Sequence, residues 1–371
     1  MTQQPNPQAD NRSQWEGPAT MRAVVMREFG DHGVLRLEEV ATPPPAAGEA
    51  VVQVGAVEVS RTRDVATRSG RHPFSQQVSL PHVLGGHSAG VVVAVGDGVD
   101  PSLVGSRVGV MGHHACGQCA ACRAGLEEEC SELEILGIHR WGSYAEFTAV
   151  HEDQLHILPT DIDMAEAAAL AATGSIALTQ LRTAQVGPGS IALVTGMTGA
   201  LASVLAALGS LLGATMIGLS RRPTAITPST SLTVLDSTRA DLGEAILAAT
   251  DGVKPRAVID NVCSPEVFER YFSTLANGAR IVVSGAIGTP EMPVLPVPAR
   301  TIYSRSISLI GLRSHTAAIN REFWQMVRDG FRLPPGVVHD YSLEAAPTTH
   351  EAISNGTTVG HTVLRVSKAV H

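Results

Sequence analysis

The sequence predicts a two-domain α/β fold, in which a β-rich half precedes a doubly wound parallel sheet. Three observations predict it. The chain has 371 residues, more than a single hydrophobic core usually holds. Short strand-like runs separated by Gly, Pro and Asp fill the first half, and a strand, helix, strand alternation begins near Ser190. The composition, 44% hydrophobic and 17% charged, is typical of a compact globular protein.

Strand signals run from Met21 to about Val150. The runs are MRAVVM, VLRLEEV, AVVQVGAVEV, AGVVVAVG and SRVGVMG, and they predict a small irregular barrel. Residues 163–181 have helical spacing of apolar residues and acidic residues in the first turn, so a helix is expected to link the two domains. Residues 1–20 are polar and predict a disordered tail.

The second half alternates between strands and helices. SIALVTG, TMIGLS, RAVIDNV, ARIVVSG and SISLIGL are strand-like, and ALASVLAALGSLLGA between the first two is helix-like. This alternation predicts a parallel sheet with helices on both faces. A helix over Ala318 to Phe331 and a final strand, HTVLRV, have no obvious place in that sheet. We expect this last segment to return to the first domain.

Composition excludes several classes of function. The net charge is −8, the pI is near 5.9, and Lys and Arg form no runs, which argues against a nucleic-acid partner and favours a small-molecule substrate. No stretch approaches the ~20 apolar residues that span a bilayer. The first residues lack the basic start and apolar core of a secretory signal. A cytoplasmic protein is therefore expected.

Four of the five cysteines fall within fifteen positions in the pattern C-x2-C-x2-C-x7-C. They are Cys116, Cys119, Cys122 and Cys130, in a lobe over residues 113–131. Four thiolates complete the tetrahedral shell of zinc and leave no position for substrate. One structural Zn²⁺ per chain is expected. The alternatives are free cysteines, which this close spacing disfavours, and disulfide-bonded cysteines, which a reducing compartment disfavours.

A glycine turn lies between a predicted buried strand and a predicted helix. It comprises Gly196, Met197, Thr198, Gly199 and Ala200. Glycines at this junction let backbone N–H groups and the helix N-terminus approach the pyrophosphate of a dinucleotide. The strand and helix on either side make the pattern more specific than the glycines alone.

The next strand ends in Ser220, Arg221 and Arg222. An NAD enzyme normally offers Asp or Glu here to the ribose hydroxyls. A guanidinium can instead bind a 2′-phosphate through paired hydrogen bonds, which favours NADP(H). The alternative is a solvated arginine pair on a loop.

Taken together, these features resemble the medium-chain dehydrogenase/reductase superfamily, which includes zinc alcohol dehydrogenases and quinone reductases. The resemblance runs from about Met21 to Val366, and its markers include LPHVLGGHSAGVVVAVG, the cysteine lobe, GSYAEF, VVSG and LIGLR. It implies a GroES-like catalytic domain (21–162 and 314–371), a Rossmann NADP-binding domain (163–313) and a homodimer or tetramer. It also implies further cofactor contacts at Val262, Gly285, Ala286, Leu312 and Arg313.

The resemblance breaks at the catalytic zinc ligands. The family's first Cys is expected three residues before an Asp, and Arg61 stands there, before Asp64. The His-Glu pair falls on Gly86 and His87, and the third ligand falls near Ala172. A one-residue gap would restore His87 as a ligand, but it spoils the match that follows. A single His cannot hold a catalytic zinc that needs about three protein ligands.

Zinc-free members of the family transfer hydride from NADPH to an electron-poor carbon. By this resemblance Arg61 would lie near the nicotinamide and stabilise an enolate oxygen or bind a carboxylate. His87 and Tyr144 are candidate proton donors, which Ser60 and Asp64 could orient. Alternatively, Asp64 only pairs with a nearby arginine and Tyr144 belongs to the core. His113, His114 and His139 are weaker candidates.

Three functions remain open. The first is NADPH-dependent, zinc-independent reduction of an activated C=C or C=N bond, for which the Arg-, Ala- and Val-rich composition suggests tailoring of a secondary metabolite. The second is a conventional alcohol or aldehyde dehydrogenase. The third is an NADPH-binding pseudoenzyme or sensor.

Overall fold

A computed structural model describes residues 17–227, 229–285, 294–313 and 316–367. Most of the tail expected at residues 1–20 lies outside these ranges. The first strand begins at Thr20.

The first domain consists mainly of short strands. They are β1 (Thr20–Met26), β2 (Leu35–Ala41), β3 (Glu49–Glu58), β4 (His82–Val83), β5 (Ser88–Val95), β6 (Arg107–Val110), β7 (His113–His114), β8 (Glu134–Ile135), β9 (Phe147–His151) and β10 (Leu155–Ile157). Two short helices accompany them, α1 (Ala66–Arg68) and α2 (Ala120–Arg123). The alternating apolar runs of the sequence become the buried faces of these strands.

The longest strand, β3, organises this domain. It pairs antiparallel with β5 and with β9. Near the chain's other end, α9 (Ala346–Ser354) lies between β17 (Val338–Ser342) and β18 (His361–Arg365), and β18 also pairs with β3. The last segment of the chain therefore completes the sheet that the first segment begins.

A long alanine-rich helix, α3 (Met164–Thr183), joins the two domains. The carboxylate of Asp163 accepts hydrogen bonds from the backbone N–H groups of Ala165 and Glu166 and so caps its first turn. The helix is buried on most sides, since it packs against β3 and β5 of the first domain and against the cofactor domain. Its small residues permit this close packing, and at Gly174 a Cβ would overlap the ring of Phe323.

The second domain is a six-stranded parallel sheet. Its strands are β11 (Ile191–Thr195), β12 (Thr215–Ser220), β13 (Leu232–Asp236), β14 (Ala257–Ile259), β15 (Arg280–Val283) and β16 (Ser308–Gly311). Its helices are α4 (Ala200–Leu211), α5 (Leu242–Ala249), α6 (Pro265–Phe272) and α7 (Ala299–Ser304). The next helix, α8 (Ala317–Arg328), packs against α3 and the first domain, where the Trp324 ring stacks on that of His156 in β10. The strand order β13-β12-β11-β14-β15-β16 is that of a doubly wound dinucleotide-binding sheet. The predicted α/β fold class is confirmed.

No helix in the described part of the chain is long and apolar enough to cross a membrane. The homodimer stays a prediction. The edge strand β16 and the neighbouring helix α7 expose Leu309 and Tyr303.

A buried polar pair links β3, in the first half of the chain, to β18, near its last described residues. Nδ1 of His361, the first residue of β18, lies 2.7 Å from Oε1 of Glu58, the last residue of β3, and both side chains are almost fully buried. The residue before His361, Gly360, donates its backbone N–H to Thr198 in the glycine turn. The pair therefore lies in the catalytic domain, next to the residue that contacts the glycine turn of the cofactor domain.

We expect Glu58→Ala to lower the free energy of unfolding by about 3 kcal/mol or more, because it leaves the buried His361 ring without its partner. The matched control is Glu38→Ala, which removes an exposed ion pair with Arg27 and should cost at most about 1 kcal/mol. Urea unfolding of both variants measures the difference. Equal losses would contradict a special role for the Glu58–His361 pair.

Candidate active site

A wide π turn, Arg61–Val65, follows β3. Ser60 caps it, because its Oγ accepts from the backbone N–H of Arg63. The carbonyl of Ser60 accepts from the backbone N–H groups of both Asp64 and Val65, at 2.9 and 3.1 Å. The bond to the fifth residue widens the turn by one residue relative to an α-helix. This alters which side chains of the segment face inward.

Asp64 is fully buried and holds two backbone segments together. Its carboxylate accepts from the backbone N–H of Ser60 at 2.7 Å and from that of Gly85 at 3.2 Å. Burial raises the pKa of Asp64, while the nearby Arg63 charge and these two N–H groups act in the opposite direction. Asp64 thus fixes the end of β3 to the loop that leads into β5, and neither Arg61 nor Arg68 pairs with it.

The guanidinium of Arg63 contacts His87 beside this loop. Nη2 of Arg63 lies 2.6 Å from Nδ1 of His87, and the Arg63 side chain is only 9% exposed. Nη1 of Arg63 also lies 3.3 Å from Nε2 of the same ring. A guanidinium can only donate, so the ring nitrogen that accepts from it carries no proton and the imidazole is neutral. The nearest carboxylate oxygen of Asp64 is 3.7 Å from Nε of Arg63. A buried cation therefore has a neutral imidazole as its closest partner.

Two glycines make room for this guanidinium. A Cβ on Gly86 would overlap Cζ of Arg63 and come within 2.5 Å of its Nη1. A Cβ on Gly112 would overlap the backbone oxygen of Gly86 and come within 3.0 Å of the same Nη1. Gly86 is the position at which the family resemblance expects a zinc-ligating His. The absence of a side chain at position 86 therefore both removes a zinc ligand and leaves space for the Arg63 guanidinium.

Arg61, the predicted oxyanion-stabilising residue, points away from His87, and its role near the nicotinamide stays a prediction. Its guanidinium is exposed, donates to the carbonyl of Ser354 at 3.2 Å and does not reach His87. Partial burial lowers the pKa of Arg61, and the positive charges of Arg221 and Arg71 lower it further, so these arginines lie near one another. The sequence interpretation missed Arg63. The family frame places the missing Cys at Arg61, three residues before Asp64, whereas the wide turn buries the side chain of Arg63.

Tyr144 is also not placed to donate a proton to a substrate. It is fully buried in the first domain, its hydroxyl is 3.0 Å from Nε2 of His350 on α9, and its ring lies against Gly85. Burial raises the pKa of Tyr144 well above its ordinary value. Its burial favours the alternative prediction, that Tyr144 is a core residue.

The four cysteines of the lobe come together as expected. Their sulfur atoms all lie within 4.8 Å of one another, and Sγ of Cys116 is 3.5 Å from that of Cys130 and 4.0 Å from that of Cys122. Four sulfurs around one zinc at about 2.3 Å would be about 3.8 Å apart, so the donor set fits a single ion. Within the described ranges, no other group of three or more His, Cys, Asp or Glu side chains could hold a metal.

The glycine turn lies at the carboxyl end of β11, where such sheets bind their ligands. Gly196 has a φ of +68°, which favours glycine, and a Cβ there would come within 2.8 Å of Cγ2 of Val262. Gly199 caps α4. The Met197 side chain is buried against Gly218 on β12. The turn therefore presents backbone rather than side chains to a ligand.

The two arginines after β12 differ in their contacts. Arg222 donates to the carbonyls of Thr357 and Thr358, and its backbone N–H binds Oγ of the buried Ser220. Arg221 is exposed and forms no hydrogen bond or ion pair within the described ranges. Of the predicted pair, Arg221 is therefore the one available to a phosphate.

The remaining predicted cofactor positions lie at the ends of β15 and β16. Gly285 packs against Asn261, which forms hydrogen bonds with Gln180 of α3. The backbone N–H of Leu312 binds the carbonyl of Val283, and Cζ of Arg313 lies 5.8 Å from the centre of the Phe74 ring. Ala286 lies outside the described residues.

Comparison with known proteins identifies the family. Residues 46–160 match the alcohol dehydrogenase GroES-like domain and residues 200–329 match the zinc-binding dehydrogenase domain. The chain is 30% identical to a solved NAD-dependent alcohol dehydrogenase, with a TM-score of 0.81 over 94% of this chain and 100% of the other. It belongs to the medium-chain dehydrogenase/reductase superfamily.

Two curated relatives agree with this assignment. An NAD-dependent alcohol dehydrogenase of Sulfolobus acidocaldarius is 27% identical over 94% of this chain and 100% of its own length. An alcohol dehydrogenase of a Moraxella species is 34% identical, but over 48% of this chain and 52% of its own length. The chain is thus an oxidoreductase of this superfamily.

We expect the purified protein to contain one zinc ion per chain, because the cysteine lobe is the one group of donors among the described residues that fits the metal. Elemental analysis checks the number. Cys122→Ser should lower it towards zero and reduce the melting temperature, whereas the control Cys263→Ser, in the cofactor domain, should leave it at one. Two zinc ions per chain would contradict the assignment.

Proposed function

We propose that this enzyme reduces an activated C=C bond of a small molecule with NADPH, and that the guanidinium of Arg63 replaces a catalytic zinc ion. The observation that carries the proposal is the Arg63 guanidinium buried against His87 between Gly86 and Gly112. A permanent cation at this point can stabilise negative charge that develops on an oxygen atom. An activated C=N bond is a second acceptor of the same kind.

The chain's own residues would bind and polarise the acceptor. NADPH, when bound, supplies a hydride to the β-carbon of an enone. The electron pair of the double bond moves onto the carbonyl oxygen, and the Nη atoms of Arg63 would stabilise this enolate by charge and hydrogen bonding. The α-carbon then takes a proton from water. His87 and Asp64 act as positioning residues, His87 on the guanidinium and Asp64 on the loop that carries His87.

NADPH rather than NADH follows from the charge at the end of β12. Arg221 lies there without a protein partner among the described residues, and Arg61 adds a second positive charge nearby. The residues at the end of β12, where an NAD enzyme would offer a carboxylate to the ribose, are Ser220, Arg221 and Arg222. The relatives named NAD-dependent favour the opposite preference, so the two cofactors must be compared directly. A cytoplasmic location, where thiols stay reduced, agrees with the zinc lobe.

Carbonyl reduction is the second candidate, because two curated relatives of this chain are named alcohol dehydrogenases. Arg63 could polarise an aldehyde or ketone in the same way. A panel of enones, quinones, imines, aldehydes and ketones, followed by NADPH absorbance, separates the two. Reduction confined to aldehydes and ketones would replace our proposal, and no turnover with any acceptor would favour an NADPH-binding pseudoenzyme.

Arg63→Met should lower kcat for an enone by about 10²- to 10³-fold, as expected for removal of one oxyanion-stabilising group. It should leave the Kd of NADPH nearly unchanged. Gly86→Ala should have a similar effect although it retains Arg63, because its methyl group displaces the guanidinium. Arg71→Met, an exposed arginine nearby, is the control. Unchanged turnover in Arg63→Met would refute the role of Arg63.

Arg221→Ala should weaken NADPH binding by about 10- to 100-fold, the cost of losing a charge-assisted hydrogen bond to phosphate, and should leave NADH binding unaffected. Fluorescence titration with each nucleotide measures this ratio. Arg239→Ala removes another surface arginine of the same domain, one that pairs with Asp241, and should change neither affinity. A wild-type enzyme that binds NADH more tightly than NADPH would overturn the cofactor assignment.

A further inference from the structure

Three rings, those of His72, Phe74 and His139, form a cluster on the catalytic domain; we call it the ring cluster. The centres of the His72 and Phe74 rings are 5.6 Å apart, and those of Phe74 and His139 are 5.9 Å apart. All three side chains are half-buried, so each ring keeps part of its surface open. The rings are tilted by 54° and 45° to their neighbours. They form a continuous, partly exposed aromatic wall.

The ring cluster lies between the two parts of the candidate active site. On one side, the charge of Arg63 is near enough to lower the pKa of His72. On the other, Arg313 places its guanidinium carbon 5.8 Å from the centre of the Phe74 ring. Arg313 follows β16 at the carboxyl end of the cofactor sheet, where ligands bind in sheets of this kind. The ring cluster therefore contacts Arg313 of the cofactor domain and lies within electrostatic range of Arg63.

Both histidines in the cluster are held as neutral rings. Nδ1 of His72 accepts the backbone N–H of Phe74 at 3.2 Å, and burial, followed by the charges of Arg63 and His139, lowers the pKa of His72 to about 4. Nδ1 of His139 accepts from the backbone N–H of Ile135, its Nε2 donates to Gln77, and burial lowers its pKa. At neutral pH both imidazoles present flat, uncharged faces.

We propose that the ring cluster binds the flat, conjugated part of an uncharged acceptor, such as an aryl enone or a quinone, and aims its carbonyl oxygen at Arg63. This rests on the function proposed above and names its substrate class. Aromatic faces bind other conjugated planes by stacking and edge contacts. The wall offers such faces next to a buried cation, so one end of the acceptor would be apolar and flat and the other would carry the reacting oxygen.

The test compares two enones that differ only in one substituent. 4-Phenylbut-3-en-2-one carries a phenyl group where pent-3-en-2-one carries a methyl group. We expect the wild type to have a higher kcat/KM for the phenyl compound. Phe74→Ala should raise KM for that compound about three- to tenfold, as expected for loss of one aromatic contact. It should leave KM for the methyl compound nearly unchanged. Phe29→Ala, a partly exposed aromatic of the same domain that lies beside Gly70, is the control and should change neither.

A pair of His72 variants tests whether the ring itself matters. His72→Phe keeps a flat ring and loses the imidazole nitrogens, so it should retain the preference for the phenyl compound. His72→Ala should lose it. If His72→Phe and His72→Ala lost it equally, His72 would act through its nitrogens and not through its face. Thermal melting of each variant excludes unfolding, and Phe74→Leu provides a second, milder change at the central ring.

Binding to the protein loaded with NADP⁺ separates failure of this inference from failure of the proposed function. Saturation-transfer NMR with 4-phenylbut-3-en-2-one should show contact of the phenyl protons with the wild type and a weaker signal with Phe74→Ala. Equal signals or equal KM values would overturn the ring cluster as the acceptor site and leave NADPH-dependent reduction intact. Absence of turnover with both enones, with phenyl binding retained, would overturn the proposed reaction but not the acceptor site.

Discussion

The guanidinium of Arg63 lies where a side chain at position 86 or 112 would exclude it. Gly86 and Gly112 leave that space, and His87 supplies a neutral acceptor at 2.6 Å. A cation buried beside a neutral ring, with the nearest carboxylate oxygen at 3.7 Å, is available to stabilise a negative charge that appears during a reaction. The chemistry proposed for the site depends on this one packing arrangement.

The backbone around Arg63 connects the acceptor site with the cofactor site. Asp64 ties the π turn to the loop before β5, and the buried Glu58–His361 pair ties the end of β3 to the start of β18. The segment just before β18 carries the carbonyls that accept from Arg222 and the N–H of Gly360 that binds the glycine turn. A shift of this segment would therefore change contacts in both the catalytic domain and the glycine turn.

The fold and the metal lobe were accessible from the sequence because their signals are local. The glycine turn, with Gly196 at positive φ, and the cysteine lobe can each be recognised from the order of a few neighbouring residues. The position of Arg63 was not, because a turn with one extra residue changes which side chain faces inward. Likewise, nothing near Arg222 in the sequence indicates the distant carbonyls that engage it. The sequence left open whether Tyr144 is a proton donor or a core residue, because its partner, His350, lies on a helix 206 residues later.

The central claim is that Arg63, and no metal ion, faces the reacting oxygen of the acceptor. A crystal structure of the enzyme with NADP⁺ and an unreactive enone analogue, with anomalous data collected at the zinc edge, tests it most directly. The account predicts the carbonyl oxygen within hydrogen-bonding distance of a guanidinium nitrogen of Arg63 and one anomalous peak, at the four cysteines. A second zinc beside His87, or an analogue whose oxygen lies away from Arg63, would contradict it.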